Sequence, residues 1–166
     1  MPQSHYLVPD QSQGFEKNIE HSALLDTTDD AEDSFVGAKE RLLDVNNWNS
    51  YIGGGISLQL TDIHDKVLHR KAHKGDRIKI ATVPALHLVL VEAIEYDDYP
   101  DEGRETFAVR LKQDDGATAT IVIERTHKSL AASFHGRNDA TLSIGLTDEQ
   151  WGSLVKGLLG DFLQRS

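Results

Sequence analysis

His135-Gly136-Arg137-Asn138-Asp139 is the most chemically loaded stretch of this 166-residue chain. It offers an imidazole for acid/base work, a guanidinium to clamp a charge, and an amide and a carboxylate beside them. The same residues also make a good polar turn, with Gly136 at a positive-φ position and Asn138 and Asp139 favouring turns. His87 lies in a leucine- and valine-rich run, where a hydrogen-bonded structural histidine is the default and a catalytic one the minority reading. His64, His69 and His73 form an H-x4-H-x3-H pattern near Asp62 and Asp65. Those types suit a metal, but the stretch is hairpin-like and nothing fixes them on one face, so no metal site is assigned. Asp97-Asp98-Tyr99-Pro100-Asp101-Glu102 lacks the spacing and glycine of an EF-hand and reads as a solvated loop. Gly53-Gly54-Gly55 is followed by no Gly-Lys-Ser/Thr and is no phosphate cradle. No Gly-x-Ser-x-Gly occurs, and no cofactor is called.

The elements that must position these residues follow from periodicity. Asn18–Leu25 is a weak strand, and Asp26–Asp33 an acidic lead into a helix whose Phe35, Ala38, Leu42 and Val45 recur at helical spacing. Asn46 and Asn47 interrupt that helix, with Trp48 and Tyr51 on a short turn behind it. Strands are predicted at Ile56–Asp62, Asp76–Thr82, Leu86–Tyr96, Arg104–Lys112, Ala117–Thr126 and Ser129–His135. Tight turns at Lys74-Gly75-Asp76 and Asp115-Gly116 favour an antiparallel meander. Thr147 and Gln150 make a capping box for a last helix carrying Trp151, Leu154, Val155, Leu158, Leu159 and Phe162 on one face. Gly152, Gly157 and Gly160 in that helix point to close approach to the sheet or to a second subunit.

Bulk composition narrows the function classes. There is no cysteine, which excludes disulfides, thiolate zinc sites and cysteine nucleophiles and fits a reducing, cytoplasmic setting. A formal charge of -10 repels phosphate backbones and anionic lipid, so no nucleic-acid partner is expected. No apolar run approaches the ~20 residues that span a bilayer, so no membrane insertion is expected. Residues 1–14 read as a flexible N-terminal arm, and 15–166 as a single α+β domain.

Arg41–Tyr51 (RLLDVNNWNSY), with a preceding strand, about six later strands and a terminal helix, resembles the START/SRPBCC (Bet v 1-like, helix-grip) superfamily. The chain is also similar to uncharacterised bacterial proteins sharing AKERLL, a Lys-Gly-Asp turn and a His-Gly-Arg-Asn segment. The superfamily resemblance implies a curved antiparallel β-sheet gripped by a C-terminal amphipathic helix, commonly with an apolar ligand between them. The expectation is therefore non-catalytic binding of a small apolar molecule, with Trp48, Tyr51, His87, His135, Arg137, Asn138, Leu154, Leu158 and Phe162 as candidate ligand-binding residues. A cyclase or hydrolase using the same cavity, and a homo-oligomer (a homodimer) with a filled core, stand beside it. A tunnel needs small residues facing the helix, for which Ala117, Ala119, Ala131 and Ala132 are candidates.

Overall fold

The structure, a computed structural model, describes residues 5–52, 56–82, 85–139 and 146–160. Gly53-Gly54-Gly55 and Phe162 fall outside the described residues. Seven strands form one antiparallel sheet: β1 (Phe15–Leu24), β2 (Ile56–Thr61), β3 (Arg77–Thr82), β4 (Ala85–Tyr99), β5 (Arg104–Lys112), β6 (Thr118–Thr126) and β7 (Ser129–Asp139). Their spatial order is β1-β7-β6-β5-β4-β3-β2, so the chain enters at one edge, crosses to the other, and walks back strand by strand. The crossing is made by α1 (Thr28–Leu43), a 3-10 turn at Val45–Asn47 and the short α2 (Asn49–Ile52); α3 (Asp148–Leu159) closes the fold.

Local chemistry explains where these elements start and stop. The Thr27 hydroxyl accepts from the Asp30 amide at 3.0 Å, and Asp29 and Asp30 sit in the positive first turn of α1. The capping box on α3 is present in both directions between Thr147 and Gln150. Side chains alternate between the two faces of each strand. Ile19, Leu58, Leu60, Ile78, Ile80, Val89, Val91, Val109, Leu111, Ile121, Ile123, Leu130, Ala132 and Phe134 thus form one inner face, packed with α1 and α3. A bulge between Val91 and Ala93 shifts the alternation of β4, so Ile94 and Tyr96 continue the inner face and Ala93, Glu95 and Asp97 the outer.

The helices fill the space against that face. Trp48, Trp151, Phe35, Phe134, Leu42, Leu154 and Leu158 are each 0–2% exposed, and the rings of Phe134 and Trp151 stack at 4.5 Å. Side chains this enclosed belong to a closely packed interior. Gly157 of α3 and its C-cap Gly160 are accounted for within this packing. A Cβ on Gly157 would lie 2.5 Å from the Tyr51 ring, and one on Gly160 2.8 Å from the Arg41 guanidinium. Arg41 in turn donates to the Leu158 carbonyl at 3.0 Å, satisfying a free carbonyl at the end of α3.

Two edges of this sheet need protection from pairing with other chains. On β2 the asparagines after α1 supply it. Asn49 both donates to the Leu58 carbonyl and accepts from the Leu58 amide, each at 3.0 Å. Asn46 accepts from the Leu60 amide at 2.8 Å and donates to the Leu68 carbonyl at 2.7 Å. The Asp-Val-Asn-Asn-Trp-Asn segment is therefore an edge cap as well as a helix terminator.

Three sequence expectations change here. Asp97-Asp98-Tyr99 belongs to β4 rather than to a solvated loop; it pairs with Arg104–Thr106, and Tyr99 lies under the Arg104 guanidinium at 4.0 Å. β7 runs on through His135-Gly136-Arg137 to Asp139 instead of turning after His135, because both of its neighbours continue to offer ladder partners there. Gly136 does not supply the positive φ; Asn138 does, at 57°, while Gly136 makes room for the Phe134 ring, 3.2 Å from where a Cβ would stand. No described helix is long and apolar enough to cross a membrane.

Candidate functional site

The sheet separates the sequence candidates into two groups. Trp48, Leu154 and Leu158 are core side chains on the inner face, and Tyr51 packs against that core beside Gly157. His87 opens the inner face near the start of β4, where its Nδ1 lies 3.4 Å from Gln113 Nε2. His135, Arg137 and Asn138 belong to the outer side of β7. The structure therefore does not bring His135 or Arg137 into a shared site with Leu154 and Leu158. Of the four small residues expected to face the helix, Ala119 and Ala132 do so, Ala117 is buried at the turn before β6, and Ala131 points outward.

On the outer side, a polar network runs along β7 and β1. Arg137 donates to Asn18 Oδ1 at 2.9 Å and to the Lys17 carbonyl at 3.0 Å, and Glu16 stands 3.5 Å from its guanidinium. His135 Nδ1 is 2.8 Å from the same Asn18 Oδ1, and its Nε2 is 2.9 Å from Ser133 Oγ. Burial, then the positive charge of Arg137 and the nearby His5, push the His135 pKa down to about 4.

That shift has a definite sign for stability. The folded protein holds His135 neutral, whereas the unfolded chain takes up its proton near pH 6.5. The contribution is complete above about pH 6.5 and is lost as pH falls toward 4. Urea midpoints measured from pH 7 to 4 should decline over that window in the native chain. The decline should be shallower in His135→Gln; parallel curves would dismiss the role.

The flexible arm expected at 1–14 is described from His5 onward, and there it lies against the outer face. Leu7 is buried with Ala93, Ala108 and Val122, and its carbonyl accepts from Arg110 at 3.2 Å and Thr120 at 3.4 Å. Asn138 holds the next turn. Its Oδ1 accepts from the Ser12 and Gln13 amides, its Nδ2 donates to the Asp10 carbonyl, and its own amide donates to Gln11 Oε1. Nothing in the sequence marked Asn138 as the fastener of a segment 126 residues away.

Two hollows stand out among the described residues, and both lie on the outer side. One, about 350 Å³, is lined by Glu20, Ser22, Ala23, Leu24, Glu124, Thr126, Ser129 and Ala131. The other, about 100 Å³, is lined by Thr61, Asp62, Asp65, Arg77, Lys79, Leu86 and Leu88. Beside the second runs a column of exposed leucines on β4: Leu86, Leu88 and Leu90 are 56, 42 and 39% exposed. The run Leu86–Tyr96 is apolar on both faces at first, which suggests a central strand. The strand is central in the sheet, yet the outer face of its first half is uncovered.

Strand order, antiparallel register and the terminal helix define a helix-grip fold. Among solved structures, a hypothetical protein of Helicobacter pylori is similar over 86% of each chain at 13% identity, with a TM-score of 0.52, and shares the fold. Norcoclaurine synthase from Thalictrum flavum, in complex with dopamine and hydroxybenzaldehyde, aligns over 100% of this chain and 96% of its own at 12% identity and a TM-score of 0.48. Ginseng major latex-like protein 151 from Panax ginseng aligns over 92% and 98% at 9% identity and a TM-score of 0.43. No protein-family model matches the chain, and no curated protein matches its sequence. The likeness to the Helicobacter pylori protein is one of fold.

Proposed function

We propose that this chain is a non-catalytic binding protein that works through its outer face as a homodimer, its interior serving as a filled core. The observation that carries the reading is the leucine column of β4, left open to solvent while the space between sheet and α3 is packed. Contiguous exposed apolar surface of this kind marks an interaction site. A second copy is the occupant we take, because it carries the same column. By register, Arg77 and Lys79 of β3 flank the leucines on one side and Lys112 of β5 on the other, and Lys79 and Lys112 are already paired with Asp65 and Glu92. A two-fold axis along β4 would lay the leucines on themselves, a self-complementary apolar contact. Of the glycines that suggested a dimer surface in the sequence, Gly157 and Gly160 lie against Tyr51 and Arg41, and Gly152 faces Ile19 at 3.8 Å.

Sedimentation velocity over a hundredfold concentration range tests this. A dimer is expected in the native chain and a monomer in Leu88→Asp, with thermal stability nearly unchanged because the side chain is exposed. A native chain that stays monomeric throughout overturns the reading.

A second reading, a small apolar molecule held between the sheet and Leu154/Leu158, is supported by one detail. The indole N–H of Trp151 is buried there with no acceptor among the described residues. A buried donor of that kind costs about 1–3 kcal/mol unless something accepts from it. Native mass spectrometry followed by denaturing extraction decides: a copurified compound supports the reading, and a bare polypeptide mass removes it. Cyclase or hydrolase chemistry in the same interior would have to use His87, since His135 is on the far side of the sheet. The lack of cysteine suits a cytoplasmic setting for either reading.

A further inference from the structure

We propose that Ser133 is an acyl-acceptor residue, its hydroxyl assisted by His135 and the imidazole held in the required tautomer by Asn18 and Arg137. The proton order follows from the distances. A guanidinium only donates, so the Asn18 atom 2.9 Å from Arg137 must be the amide oxygen. The same oxygen lies 2.8 Å from His135 Nδ1 and can only accept from it, so the Nδ1 position carries hydrogen. In a neutral ring, Nε2 then presents its lone pair, and Ser133 Oγ at 2.9 Å donates to it. A hydroxyl bonded to a base, with the base oriented by a third group, is the arrangement that activates a serine. Burial and the Arg137 charge keep the ring neutral down to about pH 4, so the lone pair is present across the neutral range.

The surroundings name the class of donor. Ser133 pairs across β1 with Glu20 and lies two residues from Ala131 on the same face, and both of these line the hollow of about 350 Å³. Glu124, the other carboxylate there, is neutralised by Arg104 at 3.1 Å. Glu20 has no partner among the described residues, so the hollow suits a small activated ester or thioester bearing a cationic group. In the transfer, Ser133 Oγ bonds to the carbonyl carbon and its proton passes to His135 Nε2. The carbon–oxygen or carbon–sulfur bond of the donor then breaks, and the leaving group takes that proton. The amides flanking Ser133 are spent in the ladders to β1 and β6, so no oxyanion hole stands beside it. Ser133 is therefore acylated once and holds the group, a modification rather than a turnover.

The test is incubation of the full chain with p-nitrophenyl acetate at pH 7, reading released nitrophenolate and mapping the acetyl group by peptide mass. One acetyl per chain on Ser133 is expected, about 10²-fold slower in His135→Gln, the lower end of what a positioned base contributes. Asn18→Asp should move the midpoint of the pH–rate profile upward, because a carboxylate stabilises the imidazolium against the pull of Arg137 and His5; Glu16 and Glu20 are the other charges facing it. A merely structural network would leave that midpoint unchanged. Acetylation spread over lysines and other serines, or a Ser133 rate indifferent to both substitutions while the fold persists by circular dichroism, overturns the proposal.

Discussion

Leu158→Ala is expected to lower the unfolding free energy by about 2–5 kcal/mol, the range for removing a large aliphatic side chain from a tightly packed core. Leu158 is 0% exposed, and Trp48, Trp151, Phe134 and Leu42 of the same core are enclosed to a similar degree. The neighbours are held from several sides. Arg41 ties α1 to the carbonyl of Leu158 itself, and Tyr51 is wedged against Gly157 one residue before it. The site therefore has little freedom to collapse around the missing atoms, which places the cost toward the upper part of that range. Urea denaturation with linear extrapolation measures it. A residue on the wall of a ligand chamber behaves differently, because its far side already lacks packed partners and truncation removes less. A loss below about 1 kcal/mol would contradict the filled interior and return the argument to a container.

The same substitution carries a second readout. An apolar void enclosed by leucine and aromatic side chains stays dry and takes up small apolar molecules. A benzene-sized probe should therefore restore part of the stability of Leu158→Ala through binding linkage and leave the native chain unmoved. Stabilisation of the native chain by the probe would mean that a cavity was there from the start.

Much of this fold was legible because its local signals agree with its packing. The capping box of α3, the Phe35/Ala38/Leu42 stripe of α1 and the alternation of β5 all act within a few residues, and each element formed where its pattern put it. Two kinds of information were not local. The faces of β4 and β7 depend on register, and the bulge after Val91 reverses the alternation of β4 without a glycine or proline to announce it. Leu86, Leu88 and Leu90, before the bulge, lie in solvent because no element covers that half of the outer face, which the run of apolar residues could not reveal. The candidate site depended on that face assignment even more strongly. His135 and Leu158 are both distinctive residues, but one strand position decides that they look in opposite directions. Asn18, a nondescript polar residue in a weak strand, acquires its place in the His135 network only through the β1–β7 pairing.

The same asparagine-to-backbone chemistry underlies the last expected result: Asn49→Ala should cost about 1–3 kcal/mol and raise the tendency to self-associate. Asn49 completes both the donor and the acceptor of Leu58 on the outward edge of β2, so its removal leaves two main-chain groups without their partner at once. Asn46 accepts from the Leu60 amide one step further along, and the Leu68 amide holds the Leu60 carbonyl. In the double substitution Asn46→Ala/Asn49→Ala, the Leu58 amide and carbonyl and the Leu60 amide are freed on a strand of alternating apolar and polar residues, a template for another chain. Two measurements separate the local loss from the edge effect. Chemical denaturation at low concentration reads the hydrogen bonds alone. Light scattering of the folded protein at rising concentration reads association, and the increase that the double substitution adds over its parent should be the same with and without Leu88→Asp, because the leucine column and the β2 edge are different surfaces. An added increase that Leu88→Asp abolishes would show instead that it runs through the outer face and that the asparagines only terminate α1.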